Sequence, residues 1–538
     1  MTDAGLRRFL IDWQFWILEG QFALVVVSGL AAIPIRRFRA TSLVPGALFV
    51  IAWWLAATVP PRTNRIFYDE HIYQSVAQSL SDSHRAELCY EGEIEYGRLH
   101  CRRGEYNKEP LGYSYLLSLV YRVVGVDERW AMVVNNFAAA ATVAVVMDLS
   151  LALFGSPLAA VASAVVLMLL PMQLTWSNTA AAEPVASLLS ALAVLAAVRF
   201  ARSRSIAGMA WMIAMTAFAT TARPESILIV IVIAAVVVFL APDELRRRRL
   251  WVGMLAGAGL MLPTALHLIA VRNEAWGAAA SRFSFAHAAA NLPVNLRFYL
   301  LDERFPVLVG LAAIIGLYGR KKVVERLVLV VYFLTFWAVF VFFYAGSYDY
   351  GADVRYSLLT YVPVAVLAGL GIEIIASATT RSLQRANQQP FEPGRPPPVV
   401  FGVVCALIVF QFLWYAPLVR STGEEAWAAR ADVKYARTFA QRLPPNSIVL
   451  THNPSMFLLW GVDAGQLAIA VNEPDYVRGQ LRARYAGGVY LHWNFWCNVA
   501  DLEQRRLCET SLRDYATELV DSRRERDFRF ALYRVREP

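Results

Sequence analysis

Tyr68-Asp69-Glu70-His71-Ile72-Tyr73 is the stretch of this chain whose residue types are most suited to chemistry. Its two adjacent carboxylates follow an apolar run that ends at Pro60-Pro61. They open a short amphipathic helix in which Ile72, Tyr73, Val76, Ala77 and Leu80 share one apolar face. Carboxylates held side by side at a membrane boundary suit base chemistry, because partial burial and like-charge proximity push their pKa values apart. A second reading needs no chemistry: Asp69 caps the helix N-terminus and Glu70 complements its dipole. The elements that position the pair decide between the two.

Those elements are membrane spans. The chain has 538 residues, 57% of them hydrophobic and only 17% charged, with a mean hydropathy of +0.43. A soluble globular chain carries about a quarter charged residues, so this composition is that of an integral membrane protein. The formal net charge of +9 is almost all arginine, since Lys108, Lys321, Lys322 and Lys434 are the lysines. The arginines gather in short loops between apolar runs, the pattern of orientation signals and not of nucleic-acid binding.

Apolar runs near 15–34, 43–59, 130–153, 158–175, 178–200, 206–221, 223–241, 250–271, 306–319, 326–345, 356–377 and 399–417 read as spans, about twelve in all. The first is long enough to remain as an anchor instead of being cleaved as a signal. Arg36-Arg37-Phe38-Arg39, Arg202 with Arg204, Arg246 to Arg249, Arg320-Lys321-Lys322, and Arg381 with Arg385 and Arg395 fall in alternate loops. The positive-inside rule places these in the cytoplasm. Residues 60–129, the turns near 176 and 222–225, 272–305, 345–355 and everything after 418 then face outward. Cys89 with Cys101, and Cys497 with Cys508, lie in two of these outer segments. Two close pairs indicate two local disulfides and an oxidising compartment. Neither pair has the spacing or the clustered histidine of a zinc site. Cys405, inside an apolar run, reads as a small buried hydrophobe.

Within the outer segment 60–129, Pro110 to Val124 is short for a span and suits a helix lying in the interface, with Tyr113, Tyr115 and Tyr121 at headgroup level. Residues 386–398, with five prolines, read as a cytoplasmic linker. Beyond 418 charged residues become frequent. Strand-like runs at 447–450, 488–491 and 528–535 alternate there with helical patterns at 426–442 and 502–520. The expected architecture is an α-helical polytopic domain over 1–418, including the outer loop 60–129, and a small extracytoplasmic α/β domain over 419–538. The aromatic run Tyr490 to Trp496 suits a buried strand edge or a surface that meets an acceptor or the membrane.

This topology brings polar residues from distant parts of the chain to one face of the membrane: Asp69 and Glu70, Lys108 and Glu109, Glu183, Arg223 and Glu225, His267 and Arg272, and Asp353, Arg355 and Tyr356. Each alone is accounted for by snorkelling at a span end. Arg223 interrupts an otherwise continuous apolar stretch from Ile206 to Leu240, and a guanidinium at an interface matches lipid phosphate by bidentate geometry.

Tyr68-Asp69-Glu70-His71 resembles the first-loop acidic motif of the GT-C superfamily of polyprenol-dependent glycosyltransferases. Lys108-Glu109-Pro110-Leu111, with Tyr113 and Tyr115, is similar to the segment before the interfacial helix in the bacterial aminoarabinose transferases of lipid A and the protein O-mannosyltransferases. Asn178 to Pro184, Ala222-Arg223-Pro224-Glu225 and Arg355-Tyr356 resemble later signposts of the same family. The likeness covers roughly residues 60–380. It implies an outward-facing enzyme of the cell membrane, bacterial by resemblance, that takes a hexosyl or pentosyl group from a polyprenyl-phosphate carrier. Asp69 then takes the catalytic role, with Glu70 beside it, and Lys108, Arg223 and Arg355 become candidates for the donor phosphate. His71, Tyr73, Glu183, Glu225 and Tyr356 are further site candidates. No cofactor is expected, a divalent metal remains open, and the acceptor is a lipid, a polysaccharide or a protein. Glu109 departs from the family pattern, and no histidine precedes Lys108.

The chemistry is coherent without the resemblance. Sugar nucleotides are cytoplasmic, so an enzyme working outside needs a lipid-carried donor whose leaving group is a phosphate at the interface. Cations there stabilise the charge that develops on it. One carboxylate on the acceptor side deprotonates the attacking hydroxyl, and a single displacement inverts the anomeric centre. A transporter or flippase also fits many spans, but the charges here lie at the outer boundary and not mid-span; a non-catalytic envelope scaffold is a third reading. Single-cysteine labelling in intact cells tests the topology: positions near Arg37, Arg247 and Lys321 are expected to be protected, and positions near Asp69, Arg223, Arg355 and Leu450 to react from outside. Protection at Leu450 overturns it.

Overall fold

In the computed structural model residues 3–32, 43–66, 68–274, 281–319, 321–349, 351–386, 398–499 and 501–536 are described. The arginine loop 36–39, Arg320, Arg395 and most of the proline-rich linker lie outside them, as does the Cys405 side chain. Among the described residues six helices are long and apolar enough to cross a membrane: Asp3–Ala32, Glu128–Phe154, Glu183–Ser203, Arg248–Ala270, Val323–Phe342 and Ala352–Ser382. Pro157–Met168 and Pro171–Ser177 make a further span if taken together, bent by 58° at the break. Pro171 opens the second of these helices, where a residue without an N–H is tolerated and the previous helix cannot continue through it. Shorter apolar helices, Leu43–Thr58, Ile206–Ala219, Pro224–Leu240, Val307–Leu317 and Ala406–Arg420, stand at the other positions read as spans. Every apolar run therefore becomes helix, while length and composition alone qualify six, or seven with the bent pair.

Residues 272–305, read as an outer connection, contain the helix Phe285–Leu301, whose N-cap Ser284 accepts a hydrogen bond from the His287 amide. Asn291, Pro293 and Asn295 interrupt its apolar pattern, which hides it from a search for spanning runs.

The chain forms two compact units, one made of residues 18–62 and 132–422, the other of 1–17, 63–131 and 423–538. The first holds the packed helices. Two of its helix contacts need glycine: a Cβ on Gly316 would lie 2.0 Å from the Leu367 carbonyl oxygen, and one on Gly371 would lie 1.9 Å from that of Ala312. Small residues allow helix backbones to approach in this way where packing, not the hydrophobic effect, drives association.

The second unit is built on one seven-stranded mixed sheet. Its strands are β1 (Glu87–Glu95), β2 (Arg98–Tyr106), β3 (Ser447–Thr451), β4 (Asp463–Gln466), β5 (Gly488–Trp493), β6 (Thr517–Glu525) and β7 (Phe528–Val535), in the spatial order β2-β1-β4-β3-β5-β7-β6. The central strands β4, β3 and β5 are parallel, and the flanking pairs are antiparallel. Both faces of β3 are covered: Ile448 and Leu450 join a core with Val489, Leu491 and Tyr533, while Val449 joins one with Phe439, Phe457 and Leu532. Burial on both faces explains the continuous apolar run of β3. The outer edge strand β6 is mostly exposed and carries Glu518, Arg523 and Arg524, which discourages pairing with a foreign strand.

The sequence reading extends helix to residue 520, but the helix Leu502–Asp514 ends earlier and β6 begins at Thr517. Pairing of β6 with β7 along its whole length decides that segment. The Tyr490 to Trp496 run is a strand and its exit turn, with Tyr490, Leu491, His492, Asn494 and Phe495 buried.

Both expected disulfides are present, Cys89–Cys101 across the β1–β2 hairpin and Cys497–Cys508 between a turn and the helix Leu502–Asp514. Alkylation and mass spectrometry without reduction are expected to find these four cysteines linked. Closing loops of this length contributes about 3 kcal/mol. Serine at 497 and 508 should accordingly loosen the sheet unit and leave the helical unit's melting transition in place; four free thiols would refute the pairing.

Candidate active site

In the helical unit the structure brings together Glu183, Arg223, Glu225, Asp353, Arg355 and Tyr356, from three separate elements. Glu183 opens the helix Glu183–Ser203, Arg223 directly precedes the short 3₁₀ segment Pro224–Leu228, and Arg355 lies in Gly351–Ser357. The Glu183 side chain is fully buried, and one of its oxygens, Oε1, accepts from Arg223 Nη1 at 2.7 Å and from Arg355 Nε at 2.8 Å. Arg223 Nε also donates to Glu225 at 2.5 Å, and Arg355 Nη1 lies 3.4 Å from Asp353. Arg355 Nη2 donates to the Tyr356 hydroxyl at 3.0 Å. The Tyr356 ring lies 4.6 Å from the Arg355 guanidinium carbon and 5.5 Å from that of Arg223, and stacks on Phe340 at 4.5 Å. Two cations are thus fixed against one buried carboxylate and one aromatic face.

The helix dipole favours a carboxylate in the first turn, where Glu183 stands. The loop before it is held by side-chain amides that belong to none of the motifs, apart from Asn178. Asn135 Nδ2 donates to the carbonyls of Thr179 and Ala181, both at 2.7 Å. Asn136 Nδ2 donates to Ser177 at 2.8 Å, and Asn178 Nδ2 to Pro60 at 3.0 Å. Adjacent asparagines inside the apolar run 130–153 were the available signal, because buried amides in a span require partners. The segment leading to Arg355 is held in a similar way. Asn295 donates to the Gly346 carbonyl and accepts from the Tyr348 amide, each at 2.9 Å. A Cβ on Gly346 would lie 1.8 Å from the Phe340 carbonyl oxygen, so this turn requires glycine. His267 is buried in the last turn of Arg248–Ala270.

The remaining candidates lie in the sheet unit. Asp69 is the first residue of the helix Asp69–Ser83 and is half-buried; the N-cap position belongs to Tyr68, which adopts the left-handed conformation at φ 45°. Asp69 therefore does not occupy the capping position of the non-catalytic reading. Glu70 is fully buried, and its Oε1 accepts from the backbone amides of Arg65 at 2.7 Å and Ile66 at 3.1 Å. The two adjacent carboxylates thus have different surroundings. His71 Nε2 lies 3.3 Å from Asn64 Nδ2. Burial pushes its imidazole down to about 4, against the Glu128 carboxylate and with the help of Arg437, so it is neutral at pH 7. Tyr73 packs edge-on against Tyr113 at 5.6 Å, and its carbonyl accepts from Ser114 Oγ at 2.9 Å. These contacts set the Asp69 helix on the helix Gly112–Val124, the segment expected to lie in the interface. Lys108 is half-buried in the turn between β2 and that helix.

His452, Cys497 and Cys508 converge closely enough to hold a metal ion, but the two sulfurs are joined to each other and offer no thiolate.

Removing the charge of Glu183 leaves two largely buried guanidiniums without their shared counter-ion. Breaking a buried pair from one side costs about 3–5 kcal/mol. Glu183→Gln is expected to lose stability on that scale in denaturation of the purified protein in detergent. Denaturation at the wild-type midpoint would show that the arginines are held by other groups.

Residues 108–267 match the family model described as dolichyl-phosphate-mannose-protein mannosyltransferase. Among solved structures, the chain is similar to ArnT from Cupriavidus metallidurans in the apo state, at 13% identity and a TM-score of 0.51, over 92% of this chain and 97% of that one. It is similar to ArnT of the same organism bound to undecaprenyl phosphate, at 15% identity and a TM-score of 0.53, over 92% of this chain and 98% of that one. No curated protein matches it in sequence. The chain is a multi-pass membrane protein with the GT-C fold, the fold of the glycosyltransferase superfamily that its loop motifs resemble.

Proposed function

We propose that this protein is a membrane glycosyltransferase that moves a sugar from a polyprenyl-phosphate donor to an acceptor hydroxyl on the extracytoplasmic side, with inversion. The observation that carries the reading is the convergence of Arg223 and Arg355 on the buried Glu183. Guanidiniums fixed before substrate arrives stabilise a developing phosphate charge without reorganising, which is where such groups contribute most to rate. Glu225 and Asp353, the outer partners of the two arginines, neutralise them while no phosphate is bound. The related fold solved with undecaprenyl phosphate supports a lipid-phosphate carrier for the donor.

Asp69 is the base. Half-buried at the start of its helix, it keeps access to solvent and to an acceptor, while Glu70 holds the preceding loop through two backbone amides. Lys108 is assigned to the donor phosphate, and Tyr356 supports both guanidiniums through its ring. No step is assigned to a metal or cofactor. The alternating arginine loops and the two disulfides support a plasma-membrane location with the sheet unit outside.

The test uses purified protein with undecaprenyl-phosphate mannose and undecaprenyl-phosphate arabinose, each labelled in the sugar, so that hexosyl and pentosyl transfer are read separately. Asp69→Asn preserves shape and removes the proton acceptor; loss of a positioned base is expected to lower turnover about 10²–10⁴-fold. Arg223→Lys keeps the charge, loses the fork and should raise the KM for donor more than it alters folding. A folded Asp69→Asn protein with wild-type turnover removes Asp69 from the mechanism, and vectorial movement of donor without its consumption would assign the protein to transport.

A further inference from the structure

The residue before Asp69 is held from a distant part of the chain. Tyr68 adopts φ 45° and ψ −21°, a left-handed backbone that a bulky side chain rarely takes. Such a conformation persists only when its surroundings over-determine it. The Tyr68 hydroxyl donates to Asp432 Oδ2 at 2.5 Å across 364 residues of sequence. The Tyr68 ring packs with Ala428 and Phe495 and lies 6.2 Å from the Trp496 ring. Asp432 comes from the helix Trp427–Ala440 and is fully buried; the Phe495 amide also donates to it, and His492 Nε2 lies 3.4 Å from its other oxygen. His492 is itself fixed, its Nδ1 lying 3.1 Å from the Thr451 hydroxyl at the end of β3. Three residues upstream of Tyr68, the buried Arg65 donates to Glu425 at 2.5 Å. All of these residues belong to the sheet unit.

We infer that Asp432 is a positioning residue for Asp69: through the Tyr68 hydroxyl it fixes the left-handed turn from which the Asp69 helix starts, and so the direction of the Asp69 carboxylate. The inference rests on the reading of Asp69 as the base. Glu425 and Glu70 hold the same loop at its upstream end, at Arg65 and Ile66, while Asp432 holds it next to the catalytic residue. The C-terminal segment is then part of the catalytic apparatus without touching substrate. Burial raises the Asp432 carboxyl to about 7, with the Tyr68 hydroxyl and the Phe495 amide opposing, and lowers the His492 imidazole to about 3, so the contact is made to a group with little charge nearby to compete for it.

Tyr68→Phe removes one hydroxyl and leaves the ring packing in place. In the full-length protein, with whichever of undecaprenyl-phosphate mannose or arabinose the wild type consumes, it is expected to lower kcat about 10- to 100-fold with donor KM within about twofold, the scale of a small misplacement of a catalytic group. Asp432→Ala should do the same and Asp432→Asn, which keeps an acceptor oxygen, should recover most of the loss. In an Asp69→Asn background Tyr68→Phe should have no further effect, because the two act through one group. Hydrogen exchange needs no substrate: both Tyr68→Phe and Asp432→Ala should speed exchange of the amides from Arg65 to Ile72 and leave those of β3 unchanged. If Asp432→Ala fails to fold, Tyr68→Phe alone decides. A folded Tyr68→Phe protein with wild-type kcat or unchanged loop exchange, or one whose effect adds fully to that of Asp69→Asn, overturns the inference. Wild-type turnover by Asp69→Asn instead removes the base reading on which it rests, which separates the two failures.

Discussion

A buried carboxylate shared by two guanidiniums is the constraint on which the helical unit depends. Glu183 has no exposure to water, and an ionised group in that position persists only with its counter-charges beside it. Arg223 and Arg355 meet that requirement, and in doing so three segments far apart in sequence acquire a fixed geometry. The polar residues that hold those segments follow the same logic. Asn135, Asn136 and Asn178 satisfy carbonyls in and around a loop that is neither helix nor strand, where no regular ladder serves the buried backbone groups. Stability and the proposed chemistry therefore draw on one set of charges. A phosphate entering the cluster would meet cations that are already oriented.

The sheet unit solves a different problem. Asp69 sits at the start of a fifteen-residue helix, most of whose residues are buried. The Tyr68 and Arg65 anchors tie it to Asp432 and Glu425, and its far end is joined to the sheet through Asp82, which accepts from the Leu99 amide of β2 at 2.8 Å. A loop that carries chemistry is more precise when a rigid element supports it. Here the support is the face of the sheet that packs Phe439, Phe457 and Leu532.

Much of the fold was legible because membrane spans announce themselves as apolar runs, and each run became a helix. The cluster around Glu183 was legible as a set: topology placed its members on one face, though not the single oxygen that two arginines share, since side-chain convergence at that scale has no sequence period. The sheet was only partly legible. The apolar strands β3, β5 and β7 were read, but β4 is the short, polar Asp463–Gln466 and was not, and β1 and β2 alternate charges, with Arg103 3.0 Å from Glu91 and Arg102 2.7 Å from Glu93. Opposite charges across a hairpin stabilise it while erasing the hydrophobic alternation that marks a strand. The Tyr96-Gly97 turn, with both residues at positive φ, was the available clue. Tyr68 as the cap and Asp432 as its partner were not legible: Tyr68 lies in the acidic motif, but Asp432 lies in none, and their pairing spans 364 residues of sequence.

The order of strands in the sheet has a consequence for biosynthesis. β1 pairs with β4 through Glu91 and Gly465, and these are separated by nearly all of the helical unit. At about 5–20 residues per second, the ribosome needs roughly 20–70 s to make the intervening chain. Throughout that interval the edge of β1 that later pairs with β4 stays bare, and a bare edge is a template for misassembly. The Cys89–Cys101 crosslink closes the hairpin, and charged side chains along a bare edge discourage pairing with a foreign strand. The nascent protein thus emerges with the Tyr68 loop first and its partner Asp432 much later, so that Tyr68, the residue before Asp69, meets its anchor only once the helix Trp427–Ala440 has been made.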